Sequence, residues 1–201
     1  MKLIASMMLT LDGVYQGPGG PDEDRRGGFE RGGWTAPFAD DEGWTYLVSL
    51  FERADAFLLG RRTWEIFEGY WPDHDGGDPV SHGINVLPKH VPSTTLKDPG
   101  WNTHVIERDV EAAVRELKAQ PGREIQVHGS GELLQWLLER DLVDELNLRI
   151  YPVVVGEGRR LFPERGQTHA MELVETRSTP TGVMFQTYRP VGRATFGNAG
   201  E

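Results

Sequence analysis

Apolar positions along this chain fall into short runs separated by longer amphipathic stretches, and the two alternate. Residues 2–9 are a nearly continuous apolar run, read as a buried strand closed by Leu11-Asp12-Gly13. Trp44, Leu47, Val48, Phe51 and Ala54 recur at helical spacing behind Asp40-Asp41-Glu42, acids suited to the first turn of a helix. Ala56 to Leu59 make a second strand, stopped by Gly60, and Arg61 to Phe67 open a short helix. Residues 71–83, with Pro72, Gly76, Gly77 and Pro79, read as a loop. Val91 lies between Pro88 and Pro92, which limits it to an edge or a brief ladder.

His104 to Ile106 are the next strand, and Val110, Ala113, Val114 and Leu117 mark a helix ended by Pro121-Gly122. Residues 124–128 are again a strand, and Leu133, Leu134, Leu137 and Leu138 again a helix. Leu146, Leu148 and Ile150 alternate with Asn147, Arg149 and Tyr151, the pattern of a half-buried strand that Pro152 to Gly156 carries into a turn. Met171–Glu175 and Val183–Tyr188 pair around Pro180-Thr181-Gly182. The reading is therefore one α/β domain over residues 1–190. It has a mostly parallel central sheet, helices on both faces and an antiparallel C-terminal edge hairpin, followed by a frayed tail over 191–201. Val153–Val155 and Val183–Tyr188 are expected at a sheet edge, where exposed apolar strands invite a second copy and a homodimer.

Composition narrows the chemistry. A chain of 201 residues, 38% hydrophobic and 26% charged, suits a single globular core. A formal charge of −10 argues against a general nucleic-acid binder, which needs a basic surface. It leaves room for a small anion held by local N–H groups and arginines. Without cysteine there is no disulfide, no thiolate metal site, no cysteine nucleophile and no zinc-deaminase signature. The six histidines lack metal-ligand spacing, and no metal is assigned. No apolar run reaches the ~20 residues of a membrane span, and residues 1–6 read as a strand rather than a signal peptide. A cytoplasmic location without membrane contact is the expectation.

The most informative segment is Val127-His128-Gly129-Ser130-Gly131-Glu132-Leu133-Leu134. A strand meets a glycine-bracketed serine and turns at once into a helix. Read one way, this is a tight turn with Ser130 as N-cap. Read the other way, the glycines let backbone approach a ligand, and the unpaired N–H groups of the helix start face a phosphate. Comparable polar turns follow other strands: Asp12-Gly13, Gly60-Arg61-Arg62-Thr63 and Ser93-Thr94. Ligands of open α/β sheets bind beyond the carboxyl ends of the strands, so these turns together point to a dinucleotide. Arg61 and Arg62 are candidate phosphate donors or plain surface charge, and Thr63 a helix cap or a pyrophosphate donor. His128 reads as a structural histidine ahead of a catalytic one. Asp40, Asp41 and Glu42 are explained by capping, with one of them available to a ligand's ring nitrogens. The long polar loop Gln16–Gly33 is either a floppy excursion or a lid or wall of the substrate side.

Four segments, Ser6–Val14, Leu58–Glu65, Val127–Leu133 and Leu142–Phe162, together resemble the dihydrofolate reductase-like superfamily, specifically the riboflavin-biosynthesis reductase C-terminal domain group, over roughly residues 2–190. The resemblance implies an NADPH-dependent reductase, with NADH possible. It implies cofactor contacts at Gly60, Arg61, Arg62, Thr63, Gly129, Ser130, Gly131 and Glu132. It also implies them at Ser93 and Thr94, where the family has a Ser-Arg pair. Asp12 matches an Asp-Gly beside the nicotinamide and substrate cleft, and the place of an acid on the helix after the first loop falls to Asp40, Asp41 or Glu42, with Asp41 taken beside Asp12 as the catalytic candidate. The implied substrate is a small heterocycle, a pyrimidine of the 5-amino-6-ribosylaminouracil type or a pterin or folate. The rival reading is a non-catalytic nucleotide-binding protein on the same fold.

Overall fold

The computed structural model describes residues 1–198 and residue 200. At its centre is an eight-stranded sheet in the order β4-β3-β2-β5-β1-β6-β8-β7. The strands are β1 (Lys2–Thr10), β2 (Ala54–Leu58), β3 (Lys89–Pro92), β4 (Thr103–Ile106), β5 (Glu124–His128), β6 (Glu145–Tyr151), β7 (Ala170–Ser178) and β8 (Met184–Gly192). Every pairing from β4 across to β6 is parallel, and β6–β8 and β8–β7 are antiparallel. The helices are α1 (Asp41–Arg53), α2 (Arg61–Glu68), α3 (Pro79–Val86), α4 (Val110–Ala119) and α5 (Gly131–Glu139).

Alternation along β1 assigns the two faces. Leu3, Ala5 and Met7 pack with Ile125, Val127 and the apolar stripes of α4 and α5, Val114, Leu117, Leu134 and Leu137. On the other side Leu50 and Phe51 of α1, Val80 and Ile84 of α3 and Trp64 of α2 enclose Phe57 and Val91. Helices therefore cover both faces, as the alternation of elements requires.

Three expectations are corrected. Residues 71–83 are not a loop throughout: Asp78 accepts hydrogen bonds from the N–H groups of Val80 (2.9 Å) and Ser81 (3.1 Å), with Pro79 as the first residue of α3. An Asp-Pro start needs no donor from the proline, so the two prolines and glycines mark a helix entry here. Wholly buried Lys89 closes the other end, its Nζ donating to the carbonyls of Leu87 (2.8 Å) and Asn85 (3.3 Å). Second, Val153–Val155 are not a strand, and β8 is paired on both sides, so the sheet edges are β4 and β7. Third, Val191 and Gly192 belong to β8. Residues 193–198 carry no helix or strand, and of the expected tail residues 199 and 201 lie outside those described.

The Gln16–Gly33 loop is tied down. Phe29 and Trp34 bury against Val14, Tyr151 and Phe185. Trp34 Nε1 donates to the Gln16 carbonyl (2.8 Å), and buried Gln16 donates to the carbonyls of Asp24 (3.1 Å) and Arg26 (2.9 Å). A loop with its own apolar anchors and satisfied backbone is a wall, not an excursion.

Two histidines make the fold acid-sensitive. His90 is pushed down to about 4 by burial and by stacked His104, 5.2 Å away. His128 is pushed down to about 3 by burial and by Arg149. Both are neutral when folded, and in the unfolded chain both titrate near 6.5. Below that pH the unfolded state binds more protons, so stability falls from about pH 6.5 toward the folded values. Urea midpoints are expected to drop between about pH 7 and pH 5, with a shallower drop in His90→Gln; equal midpoints across that window would contradict the assignment.

Candidate functional site

The two glycine turns anticipated from sequence meet. Gly129 and Ser130 both take left-handed backbone, φ 57° and 63°, at the end of β5. The Ser130 side chain does not cap α5. Its Oγ instead accepts from the Gly60 N–H (2.9 Å) and donates to Thr63 Oγ1 (2.8 Å), sewing the start of α2 to the start of α5. Gly60 permits the approach, since a Cβ there would stand 3.2 Å from Ser130 Oγ. Thr63 is likewise not a cap: the α2 N-cap is Gly60, and neither helix carries a side-chain cap. Two helix starts with unclaimed N–H groups thus sit side by side, the electrostatic setting that favours phosphate.

This junction opens into a cleft of about 1390 Å³. Gly60, Arg61, Arg62, Thr63, Gly129, Ser130, Gly131 and Glu132 all line it. Arg61 Nε donates to Glu65 (2.8 Å), while its Nη1 is buried with no partner. Arg62 lies 3.4 Å from the same carboxylate, and the two arginines hold Glu65 below the usual carboxylate range. Glu132 is exposed and paired with Arg159. The Gln16–Asp24 part of the loop forms the opposite wall.

Four expected residues are not on this wall. Asp12 is bound up in its own turn, accepting from Thr10 Oγ1 (2.6 Å), Val155 N–H (3.2 Å) and Gly156 N–H (2.9 Å). Burial works to raise its pKa, but those donors outweigh it and hold the carboxyl below its ordinary value. Asp41 is exposed in the first turn of α1. Its neighbour Asp40 caps α1 through the Gly43 N–H (2.7 Å) and accepts from Thr181 Oγ1 (2.7 Å). Ser93 Oγ accepts from the N–H groups of Thr95 (3.3 Å) and Leu96 (3.1 Å), making a turn after β3, and exposed Thr94 sits within it.

The structure adds a floor to the cleft, with Ser6, Met8 and Arg149 joining the His128 already weighed. β1, β5 and β6 run in register, so Ser6 aligns with His128 and Asn147, and Met8 with Arg149. Ser6, Met8, His128 and Arg149 line the cleft beneath α1, which contributes Trp44, Leu47 and Phe51. His128 is the satisfied structural residue, its Nε2 2.7 Å from Gln126 Oε1 and its ring stacked on Phe51 at 4.8 Å. Arg149 was expected on the polar face of a half-buried strand. It is 4% exposed, because β6 lies inside the sheet with both faces covered.

Three buried side-chain polar atoms lack a hydrogen-bond partner among the described residues: Ser6 Oγ, Arg61 Nη1 and Arg149 Nε. All three belong to cleft residues. Buried polar groups are ordinarily satisfied, so the gathering of unsatisfied ones in one cavity makes it the candidate ligand site. No His/Asp/Glu group among the described residues has a metal-holding arrangement, and no described helix is long and apolar enough to cross a membrane.

Residues 1–185 match the family model of the RibD C-terminal domain. The chain belongs to that family. The family is one of reductases, and the chain has relatives that it matches over nearly their whole length. The uncharacterized protein YyaP of Bacillus subtilis (strain 168) is 27% identical over 190 residues, covering 93% of this chain and 94% of YyaP. The uncharacterized protein YwjB of the same organism is 25% identical, covering 94% and 98%. Among solved structures, a putative riboflavin biosynthesis protein from Shewanella sp. PV-4 superposes with a TM-score of 0.71 at 22% identity, covering 94% of this chain and 99% of that one. A pyrimidine reductase-like protein from Corynebacterium diphtheriae gives 0.63 at 16% identity, covering 94% and 92%. These structural likenesses establish the dihydrofolate reductase-like fold.

Proposed function

We propose that this protein is a nicotinamide-dependent reductase of a small heterocycle, a pyrimidine or a pterin, with NADPH as the expected cofactor. The observation that carries the reading is the convergence of two uncapped helix starts and three unsatisfied buried polar atoms on one cleft. The residues fit a dinucleotide: backbone N–H groups for the pyrophosphate, Thr63 and Ser130 hydroxyls beside them, and a guanidinium with a spare donor. When bound, the reduced nicotinamide supplies the hydride. The chain's own residues bind and orient. Phe51, Met8 and Leu47 keep water from the reacting faces, and the loop wall from Gln16 to Asp24 closes the far side. Asp12 and Asp41 lie off the wall, so neither is placed to deliver the proton that accompanies reduction.

Calorimetric titration with NADPH and NADH tests it. NADPH is expected to bind more tightly than NADH, and a failure of both to bind would overturn the reading. If Arg61 meets the 2′-phosphate, Arg61→Met is expected to cost ~10–100-fold in NADPH affinity and little for NADH, as loss of a charge-assisted contact does. Equal losses for both cofactors would remove that role and pass it to Arg62. Turnover with a pyrimidine or pterin substrate then separates a reductase from a non-catalytic binder on the same fold.

A further inference from the structure

Arg149 is the anomaly of the cleft floor. Its side chain makes no hydrogen bond or ion pair with any described residue, and its Nε is fully enclosed. The chain holds 31 acidic residues, yet none of those described pairs with it. The groups within electrostatic reach are the Tyr46 and Tyr151 hydroxyls and neutral His128. A guanidinium stays protonated even where burial presses its pKa down, as it does here. An uncompensated buried charge is costly, and natural cores pair it. Ser6 Oγ, on the adjoining strand and 1% exposed as a residue, is unsatisfied as well.

The surroundings limit what fills this place. Met8 lies in register with Arg149, Phe51 closes in from α1, and Trp44 stands at the rim. These are apolar or flat. The phosphate-type features, helix starts and glycine turns, belong to α2 and α5 at the ends of β2 and β5. A planar guanidinium under an aromatic-lined roof matches a planar oxyanion by two parallel N–H···O bonds.

We propose that Arg149, with Ser6, is the substrate-recognition element of this cleft and selects a heterocycle bearing a planar oxyanion, a carboxylate or an ionised ring oxygen. The inference rests on the reductase reading and specifies its substrate as an anion. The missing counter-ion is then part of the substrate. A neutral ring leaves the guanidinium unpaired and is rejected, since specificity is strongest where a buried polar group of the site would otherwise go unsatisfied.

The test is thermal melting of the full chain with orotate, with uracil and with inorganic phosphate, for the wild type, Arg149→Met and Arg149→Lys. Orotate is a pyrimidine carrying a carboxylate, uracil the same ring without it. Orotate is expected to raise the wild-type melting temperature and uracil to do so far less. Arg149→Met is expected to lose the orotate shift, corresponding to at least a ~10-fold loss of affinity. It should melt no lower than the wild type, because an unpaired buried charge has gone. Arg149→Lys, which keeps the charge without the planar fork, is expected to retain part of the shift.

No orotate shift, an orotate shift matched by uracil, or one that survives in Arg149→Met would overturn the proposal. So would a phosphate shift as large as that of orotate and lost in Arg149→Met, which would make the site a tetrahedral-anion site. NADPH titration of Arg149→Met keeps the two readings apart. Retained cofactor binding beside a failed orotate test sinks the substrate assignment alone, whereas absent cofactor binding in the wild type sinks the reductase reading.

Discussion

Gly131→Ala is expected to lower the melting temperature and to weaken cofactor binding together. Gly131 is the first residue of α5, is buried, and has ordinary negative φ, so the demand for glycine is steric rather than conformational. A Cβ there would stand 2.5 Å from Cε1 and Cζ of Tyr15 and 2.9 Å from its Cε2. The ring must move, and Tyr15 is itself a cleft residue, so it moves within the cleft wall. Overpacking of this kind costs ~1–3 kcal/mol. For a domain of this size that lowers the melting temperature by about 2–4 °C per kcal/mol. A displaced ring would crowd the first turn of α5, and NADPH affinity is expected to fall at least ~10-fold if contacts to those N–H groups are lost.

The double variant Tyr15→Ala/Gly131→Ala decides the cause. If the clash is the mechanism, the double variant is expected to be less destabilised than the sum of the two single variants, with a coupling of ~0.5–3 kcal/mol. Strict additivity, or a Gly131→Ala protein that melts and binds like the wild type, would exclude this account.

Asp12→Ala is expected to strike stability rather than chemistry. The carboxylate gathers the Thr10 hydroxyl and the N–H groups of Val155 and Gly156, and an Oδ lies 3.4 Å from Arg160. It therefore pins the end of β1 to the segment after β6. Val155 is buried, so its N–H loses its partner when the side chain goes. A loss of ~2–4 kcal/mol is expected, and Asp12→Asn, which keeps an acceptor, should recover part of it. Because the folded pKa is lowered, the wild-type contribution is present above the ordinary carboxylate range and disappears as pH falls through the folded value. The gap between wild type and Asp12→Ala in urea midpoint should thus close in acid. If Asp12→Ala folds as stably as the wild type but cannot turn over substrate, Asp12 is a chemical group after all.

That contrast shows where sequence reading stopped. Asp12-Gly13 at a strand end has the same local signature whether the acid faces a ligand or ties a turn, and only the position of Val155 and Gly156, more than 140 residues away, distinguishes the two. The Gly60 and Gly129 turns were legible because glycine where an apolar strand gives way to a helical pattern is a local signal, and the structure uses both, for left-handed backbone at Gly129 and for the close approach of Ser130 at Gly60. The side-chain role of Ser130 was not legible. A serine before a helix reads as a cap, and its actual partners lie 67 and 70 residues away in α2 and its N-cap. Residues 71–83 misled because proline and glycine punctuate loops and helix entries alike, and the Asp78-Pro79 entry is decided by burial of Val80 and Ile84 against α1.

Arg149 marks the boundary most clearly. The alternation Leu146–Tyr151 correctly divides β6 into two faces, because a strand's side chains alternate by covalent geometry. Alternation says nothing about what covers each face. In this protein α4 and α5 cover one, and α1 together with Phe29, Trp34 and Phe38 of the long loop covers the other, so Asn147, Arg149 and Tyr151 are as buried as their apolar neighbours. The sequence by itself determined the alternation of strands and helices apart from α3 and the segment after β6, the parallel sheet with its antiparallel hairpin and the two glycine turns, since each follows from local sterics and hydrophobic period. Tertiary structure alone decided which acids were consumed in turns and caps and which arginine was left under α1 without a counter-ion. Pairing and burial of charge depend on residues brought together from distant parts of the chain.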